Sequence, residues 1–426
     1  MIGNQESRKS RKIASTNSDL VNSRCKLQEI VEKYFPSKFK ILETCLSVKA
    51  IELIDGVSLP FALILLANPG SGKSTILYTV ETLGNCYVTK NFTSKSFVSH
   101  MANTSEKELK EIDLLPKIKN KTLITSELAP IFGGKDDFLK ETLGVLTSIL
   151  DGKGYSSESG SKGHRGYDED IFFTWIGAVV EISSRVWNLI GFMGPKMYFL
   201  RIDEDSSSLK EKREKIPKNI NGKKYAEKQK EIAIETNNLW NLVKNHPIQN
   251  NGKIVWDESK DDSDALDKIV MMAQVVGCLR AYLPTNNTEG TSGSNYGYEK
   301  PIVEDAERAS HAFYNLARGH AVFSGRNYIT DEDLSVVIDV ALSSASRDRV
   351  ELLKLLIKND GILTNSEIGN SLKIHPSTAL RKCKELEMLG LVEGTTFPSV
   401  TKPSNAIKLK EEFGWLISEE FSKYNI

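Results

Sequence analysis

Residues 63–75 read Leu-Ile-Leu-Leu-Ala-Asn-Pro-Gly-Ser-Gly-Lys-Ser-Thr. An apolar strand runs into a tight Pro/Gly/Ser turn, and a helical stretch follows from Ser74 to about residue 83. This is a phosphate-binding P-loop. Gly70 and Gly72 tolerate the positive φ that lets successive backbone N–H groups wrap an anion. Lys73 reaches β- and γ-phosphates, and the Ser74 hydroxyl is placed for Mg²⁺. The helix N-terminus faces the same anion. The expected nucleotide contacts are Asn68, Pro69, Gly70, Ser71, Gly72, Lys73, Ser74 and Thr75. The usual first glycine of the motif is Ala67 here, at the end of the strand and away from phosphate. The motif defines a ligand class, a nucleoside triphosphate, and not what its hydrolysis drives.

Working outward, 426 residues are enough for two or three domains with real cores. Lys and Arg (56) balance Asp and Glu (56), so any nucleic-acid contact must come from local patches. The five cysteines lack CxxC spacing, which argues for reduced thiols in the cytoplasm and against zinc. No apolar run approaches the roughly 18–20 residues of a membrane span, so no membrane partner is expected. Residues 1–19 are rich in Ser, Asn, Lys and Arg and read as a disordered tail.

Residues 20–202 read as an α/β core preceded by helices. Leu20, Val21, Leu27, Ile30, Val31 and Tyr34 recur at helical spacing, and a second helix is expected over about 38–55. Strands are expected at 61–67, 86–89, 121–125, 171–179 and 197–201, and a helix at about 136–150. Strands alternating with helices after a P-loop imply a parallel sheet with its ligand at the strand C-termini. Residues 203–260 form a charged insert with a long solvated helix near 221–245. Residues 261–348 read as a helical lid, interrupted by a flexible loop at 285–299. Thr330 and Asp333 have capping-box spacing.

Glu127, at the end of the 121–125 strand, is the candidate base that polarises water, facing the nucleotide from the neighbouring strand tip. The residue before it is Ser126. A serine can hold Mg²⁺ through water but supplies no charge, so slower hydrolysis or weaker Mg²⁺ affinity is expected.

The P-loop, the Leu-Ile-Thr-Ser-Glu strand and the helix–hairpin–strand order that follows resemble the AAA+ superfamily, in its minichromosome maintenance (MCM) branch. The resemblance covers roughly residues 40–345 and implies a P-loop NTPase (AAA+) core with a helical lid, using ATP and Mg²⁺ in a homo-oligomeric, hexamer-type ring. It further implies a pore hairpin, with Lys162, His164 and Arg165 near its tip contacting DNA and Tyr167 able to stack on a base. The branch has a polar sensor in the strand containing Thr174, the only obvious polar group there. Its arginine finger falls at Lys196, with Arg201 and Arg185 as alternatives, and its second sensor at Arg308.

Residues 349–426 resemble a winged helix-turn-helix domain. Ile368, Leu372, Ile374, Leu380, Leu386 and Leu389 are the expected core. Ser377, Thr378, Arg381 and Lys382 stand where such domains enter a major groove, with Lys402 on the wing. The expected function is an ATP-dependent, DNA-translocating or remodelling ATPase, MCM-like and of accessory or mobile-element type. It would act on single- or double-stranded DNA in the cytoplasm, at the nucleoid in a prokaryote. Two other functions stay open: a nucleotide-gated DNA-binding regulator with little turnover, and a protein-remodelling ATPase.

Overall fold

The computed structural model describes the backbone of residues 2–101, 104–159, 163–194, 196–202, 213, 222–290, 293–397 and 404–424. Two compact units emerge, interleaved along the chain. The first comprises Met1–Ile182, Pro195–Leu266 and Ala312–Val337; the second comprises Ser183–Gly194, Asp267–His311 and Ile338–Ile426.

Helix α1 (Ile2–Tyr34) runs through the region expected to be a disordered tail. Among its described side chains, Leu20, Leu27 and Val31 are buried, while Val21 is exposed. After Gly3 the segment contains no glycine or proline until Pro36, so nothing in it breaks a helix once its apolar stripe is packed. Helix α2 (Phe39–Ala50) follows. Strand β1 (Phe61–Leu66) is buried at every position, as expected of a parallel strand covered on both faces.

Then come α3 (Lys73–Glu81), β2 (Cys86–Thr89), α4 (Glu106–Ile112), α5 (Leu114–Ile118), β3 (Thr122–Thr125), α6 (Ala129–Phe132) and α7 (Asp136–Ile149). The hairpin β4 (Tyr155–Ser159) and β5 (Gly163–Tyr167) precedes β6 (Thr174–Val179), α8 (Ser184–Met193) and β7 (Met197–Arg201). The central sheet has five strands in the order β2-β3-β6-β1-β7, all parallel. Ala62 faces Trp175 on one side and Met197 on the other. Because β1 lies between β6 and β7 while its crossover leads to the far edge strand β2, its C-terminal end opens a crevice of the kind that receives ligands.

Helix α9 (Gly222–Lys244) occupies the expected 221–245 helix. It is not solvated all round: Ile232, Leu239, Trp240 and Val243 are buried. It is tied to α1 by the Lys26–Glu235 ion pair at 2.7 Å and by the Tyr34 hydroxyl donating to Glu231 at 2.6 Å. A two-residue hairpin, β8 (Gln249–Asn250) and β9 (Lys253–Ile254), leads to α10 (Ser263–Arg280).

Residues 285–299 were expected to form a loop, but they contain the antiparallel hairpin β10 (Thr285–Gly290) and β11 (Gly293–Tyr298). Backbone ladder bonds join the two strands from Thr285–Tyr298 to Gly290–Gly293. Helices α11 (Ala306–Phe323) and α12 (Leu334–Ser343) follow, and the Thr330–Asp333 capping box forms as its spacing predicts.

In the second unit, α13 (Arg347–Ile357), β12 (Ile362–Thr364), α14 (Asn365–Leu372), α15 (Pro376–Met388), β13 (Val392–Phe397) and β14 (Ser404–Leu409) are followed by the short α16 (Glu419–Ser422). The three strands make an antiparallel sheet ordered β12-β14-β13. Ile368, Leu386 and Leu389 are buried as expected, but Leu380 is 52% exposed. Ala379 and Cys383 fill the inner face of α15 instead, which rotates Leu380 outward by about 100° per residue from Ala379.

Candidate functional site

The site begins where β1 ends. The Ala67 N–H donates to Val179 O at 3.2 Å, and the Ser71 N–H closes a turn on Asn68 O at 3.3 Å. Gly70 (φ 80°) and Gly72 (φ 90°) are both left-handed, with open space where a Cβ would stand. Glycine is required there by backbone conformation and not by crowding. Gly72 is the N-cap of α3 and has no side chain to cap it, so the first amides of α3 keep their donor capacity for an anion. The Ser71 hydroxyl is buried and has no partner among the described residues. Lys73 Nζ turns back on the loop, donating to the carbonyls of Ala67 and Asn68, the latter at 3.1 Å. Burial lowers the Lys73 pKa, and the charge of Glu127 opposes that shift. A buried hydroxyl and α3 amides with donor capacity to spare, beside a lysine bonded among the described residues to carbonyls, fit a polyphosphate.

Glu127 and Ser126 are exposed at the tip of β3. Strand β6 separates β3 from β1, so Glu127 approaches from the next strand but one, not from the neighbouring strand. Its carboxylate still reaches Lys73 electrostatically and accepts the Ala129 N–H at 3.0 Å. Ser74 is exposed at the start of α3. Two hydroxyls and one carboxylate suit a largely hydrated Mg²⁺ shared with phosphate, not an all-protein cage. Beside the loop lies a small apolar recess walled by Val31, Phe35, Leu42, Gly72, Thr75 and Ile76 among others.

Thr174 and Lys196, in the same unit, stand elsewhere. Thr174 is at the N-terminal end of β6, buried and bonded to Thr122 at 2.9 Å. It is a strand length from the loop and cannot sense phosphate in its own chain. Lys196 precedes β7 and pairs with Asp151. The five residues of β7 put it about 16 Å from the loop edge. Arg201, at the other end of β7, faces Leu66 in register and pairs with Glu181. This Glu181–Arg201 pair at the loop edge was not anticipated, because the adjacency of β1 and β7 is a matter of strand order. Arg308 lies in the first turn of α11, in the second unit, as Arg185 lies in α8.

In the hairpin, His164, Arg165 and Tyr167 have partners within the fold. Lys162 lies outside the described residues. His164 is exposed between Glu158 (3.1 Å) and Asp168 (3.2 Å), and these partners raise its pKa. Arg165 pairs at 2.6 Å with the buried Asp113. Tyr167 is buried and donates to the same carboxylate at 2.7 Å, so it is not free to stack on a base. On α15, Ser377 and Arg381 are exposed, and Thr378 is half-buried. Lys382 is only 16% exposed and pairs with Asp348 at 2.6 Å. Lys402 lies outside the described residues.

The fold and site define an α/β protein with a five-stranded parallel sheet and a glycine-rich, anion-suited loop at its C-terminal edge. Among the described residues no helix is long and apolar enough to cross a membrane. Comparison with protein-family models finds no match, and comparison with curated proteins finds none.

Proposed function

We propose that the chain is an AAA+-type, MCM-like ATPase that translocates on or remodels DNA. The observation that carries this reading is the uncapped loop at the tip of β1, with the charge of Glu127 acting on Lys73 across a β2-β3-β6-β1-β7 sheet. Lys73 and the α3 amides would hold the phosphates, Ser74 would bind Mg²⁺, and Ser126 would reach it through water. Glu127 would orient the attacking water and take its proton. Bound Mg²⁺ would neutralise charge on the transferring group.

Lys196 stands too far from its own loop to help there, which favours action in trans within a ring. The helix–strand–helix–helix–strand–strand order of residues 347–409 supports a winged-helix reading. The test is ATP turnover with and without single-stranded and duplex DNA, alongside gel filtration with an ATP analogue. DNA-stimulated turnover and a nucleotide-dependent ring that Lys73→Ala abolishes are expected. Turnover indifferent to DNA would remove the translocase reading.

Ser126 favours a second reading, a nucleotide-gated DNA-binding regulator. That protein would bind ATP and duplex DNA, remain monomeric and turn over little.

A further inference from the structure

Thr75 follows Ser74 in the first turn of α3, and it is buried. Its hydroxyl is engaged by α9. Tyr225 Oη lies 2.6 Å from Thr75 Oγ1, and Gln229 Nε2 donates to the same oxygen at 3.2 Å. Positions 225 and 229 are one helical turn apart, so both side chains converge on one hydroxyl. A threonine hydroxyl has one proton and two lone pairs, and these two partners occupy most of that capacity. The Tyr225 ring meets Phe35 edge-on at 5.7 Å, and Phe35 and Thr75 both line the recess beside Gly72. Further along, Asn237 Nδ2 donates to Thr82 Oγ1 at 3.1 Å. Helix α9 therefore grips both ends of α3.

We propose that Tyr225 is a positioning residue for the nucleotide. Through the Thr75 hydroxyl it sets the first turn of α3, and so the direction of the Ser74 hydroxyl and of the amides on either side. Thr75 itself makes no phosphate contact; its hydroxyl belongs to α9. This inference rests on the nucleotide-binding reading of the loop. A hydroxyl that faced phosphate directly would need no tyrosine, whereas a shared bond makes the two residues act as one.

Tyr225→Phe keeps the ring and removes the hydroxyl, and Thr75→Val removes its partner at nearly constant shape. Binding of a fluorescent, non-hydrolysable ATP analogue is measured across a Mg²⁺ titration, with thermal unfolding recorded without nucleotide. Each variant is expected to weaken binding about fivefold, the scale of one buried hydrogen bond. Each also raises the Mg²⁺ concentration at half-saturation, and the double variant is no weaker than either single one. Gln229→Leu, which leaves the ring untouched, gives a smaller loss in the same direction and serves if Tyr225→Phe fails to fold.

Weakened binding in Thr75→Val with native binding in Tyr225→Phe means that threonine touches phosphate, and overturns the proposal. So does a lowered unfolding temperature with unchanged affinity and Mg²⁺ dependence. A native chain that binds no nucleotide removes the nucleotide reading, and the inference with it. Native binding that Lys73→Ala weakens, with Tyr225→Phe and Gln229→Leu unaffected, removes the inference alone.

Discussion

The loop after β1 and the β4–β5 hairpin are both short, glycine-bearing segments with cationic side chains, yet their polar groups end up in opposite states. In the loop, the Ser71 hydroxyl is buried without a partner among the described residues, the α3 N-terminus has no side-chain cap, and Lys73 leans on carbonyl oxygens. In the hairpin, Arg165 and Tyr167 converge on Asp113, and His164 sits between two carboxylates. Unmet donors at the first are capacity for a ligand; at the second the charges are met by carboxylates of the fold, although Arg165 Nε is buried without a partner among the described residues. A cation in a sequence motif is open to a ligand where no carboxylate is hydrogen-bonded to it.

The contrast can be broken at either region. The largest effect is expected at Asp113, which is fully buried and accepts from the Ser99 N–H, Arg165 and Tyr167. Asp113→Ala strands a largely buried guanidinium and should cost about 3–5 kcal/mol of stability in a denaturant titration. Native-like stability would show that the hairpin is not held by this carboxylate. Next, Lys73→Ala should weaken nucleotide binding about 30-fold, or about 2 kcal/mol, with little change in unfolding. Calorimetric titration checks this, and a loss of folding in place of affinity would make Lys73 structural like Arg165.

A third test concerns a buried histidine in the first unit. Burial acts to lower the pKa of His320, but Asp333, at 2.6 Å, and Glu43 outweigh it and raise the pKa to about 9. The folded value exceeds the reference 6.5. The imidazolium therefore adds stability that is complete below about pH 6.5 and lost as pH rises through about 9. Melting temperature should fall over that window, and His320→Gln should flatten the fall. The smallest effect is expected at Lys382. Lys382→Ala should change stability by about 0.5 kcal/mol or less. It should leave the salt dependence of any DNA binding unaltered if Asp348 keeps the lysine, and reduce the slope by about one unit if phosphate takes it.

Much of the first unit was legible before any coordinates. Strands 86–89 and 197–201 appear at the expected bounds, and β1, β3 and α7 lie within a residue of theirs. Continuous apolar runs and a glycine-rich turn are local signals, and local signals survive folding. Strand order is not local, because parallel strands are joined by long crossovers. Hence Glu127 was expected one strand too close to the loop, and Glu181–Arg201 was missed. The counter-ion of Arg165 lies 52 residues away, where no spacing rule reaches. Polarity misled in a consistent direction. Residues 1–19 read as a tail and α9 as a solvated helix, yet α9 has an apolar stripe (Ile232, Leu239, Trp240 and Val243) and packs with α1, whose own stripe from Leu20 to Val31 was legible at helical spacing.

That pairing has a consequence for how the chain is made. Lys26 and Glu235, which join α1 to α9, are 209 positions apart. At a ribosomal rate of 5–20 residues per second, α1 emerges roughly 10–40 s before its partner helix. Through that interval α1 lacks α9, so the surface that α9 covers stays exposed on the nascent chain, where a chaperone can hold it until the helix after β7 is synthesised.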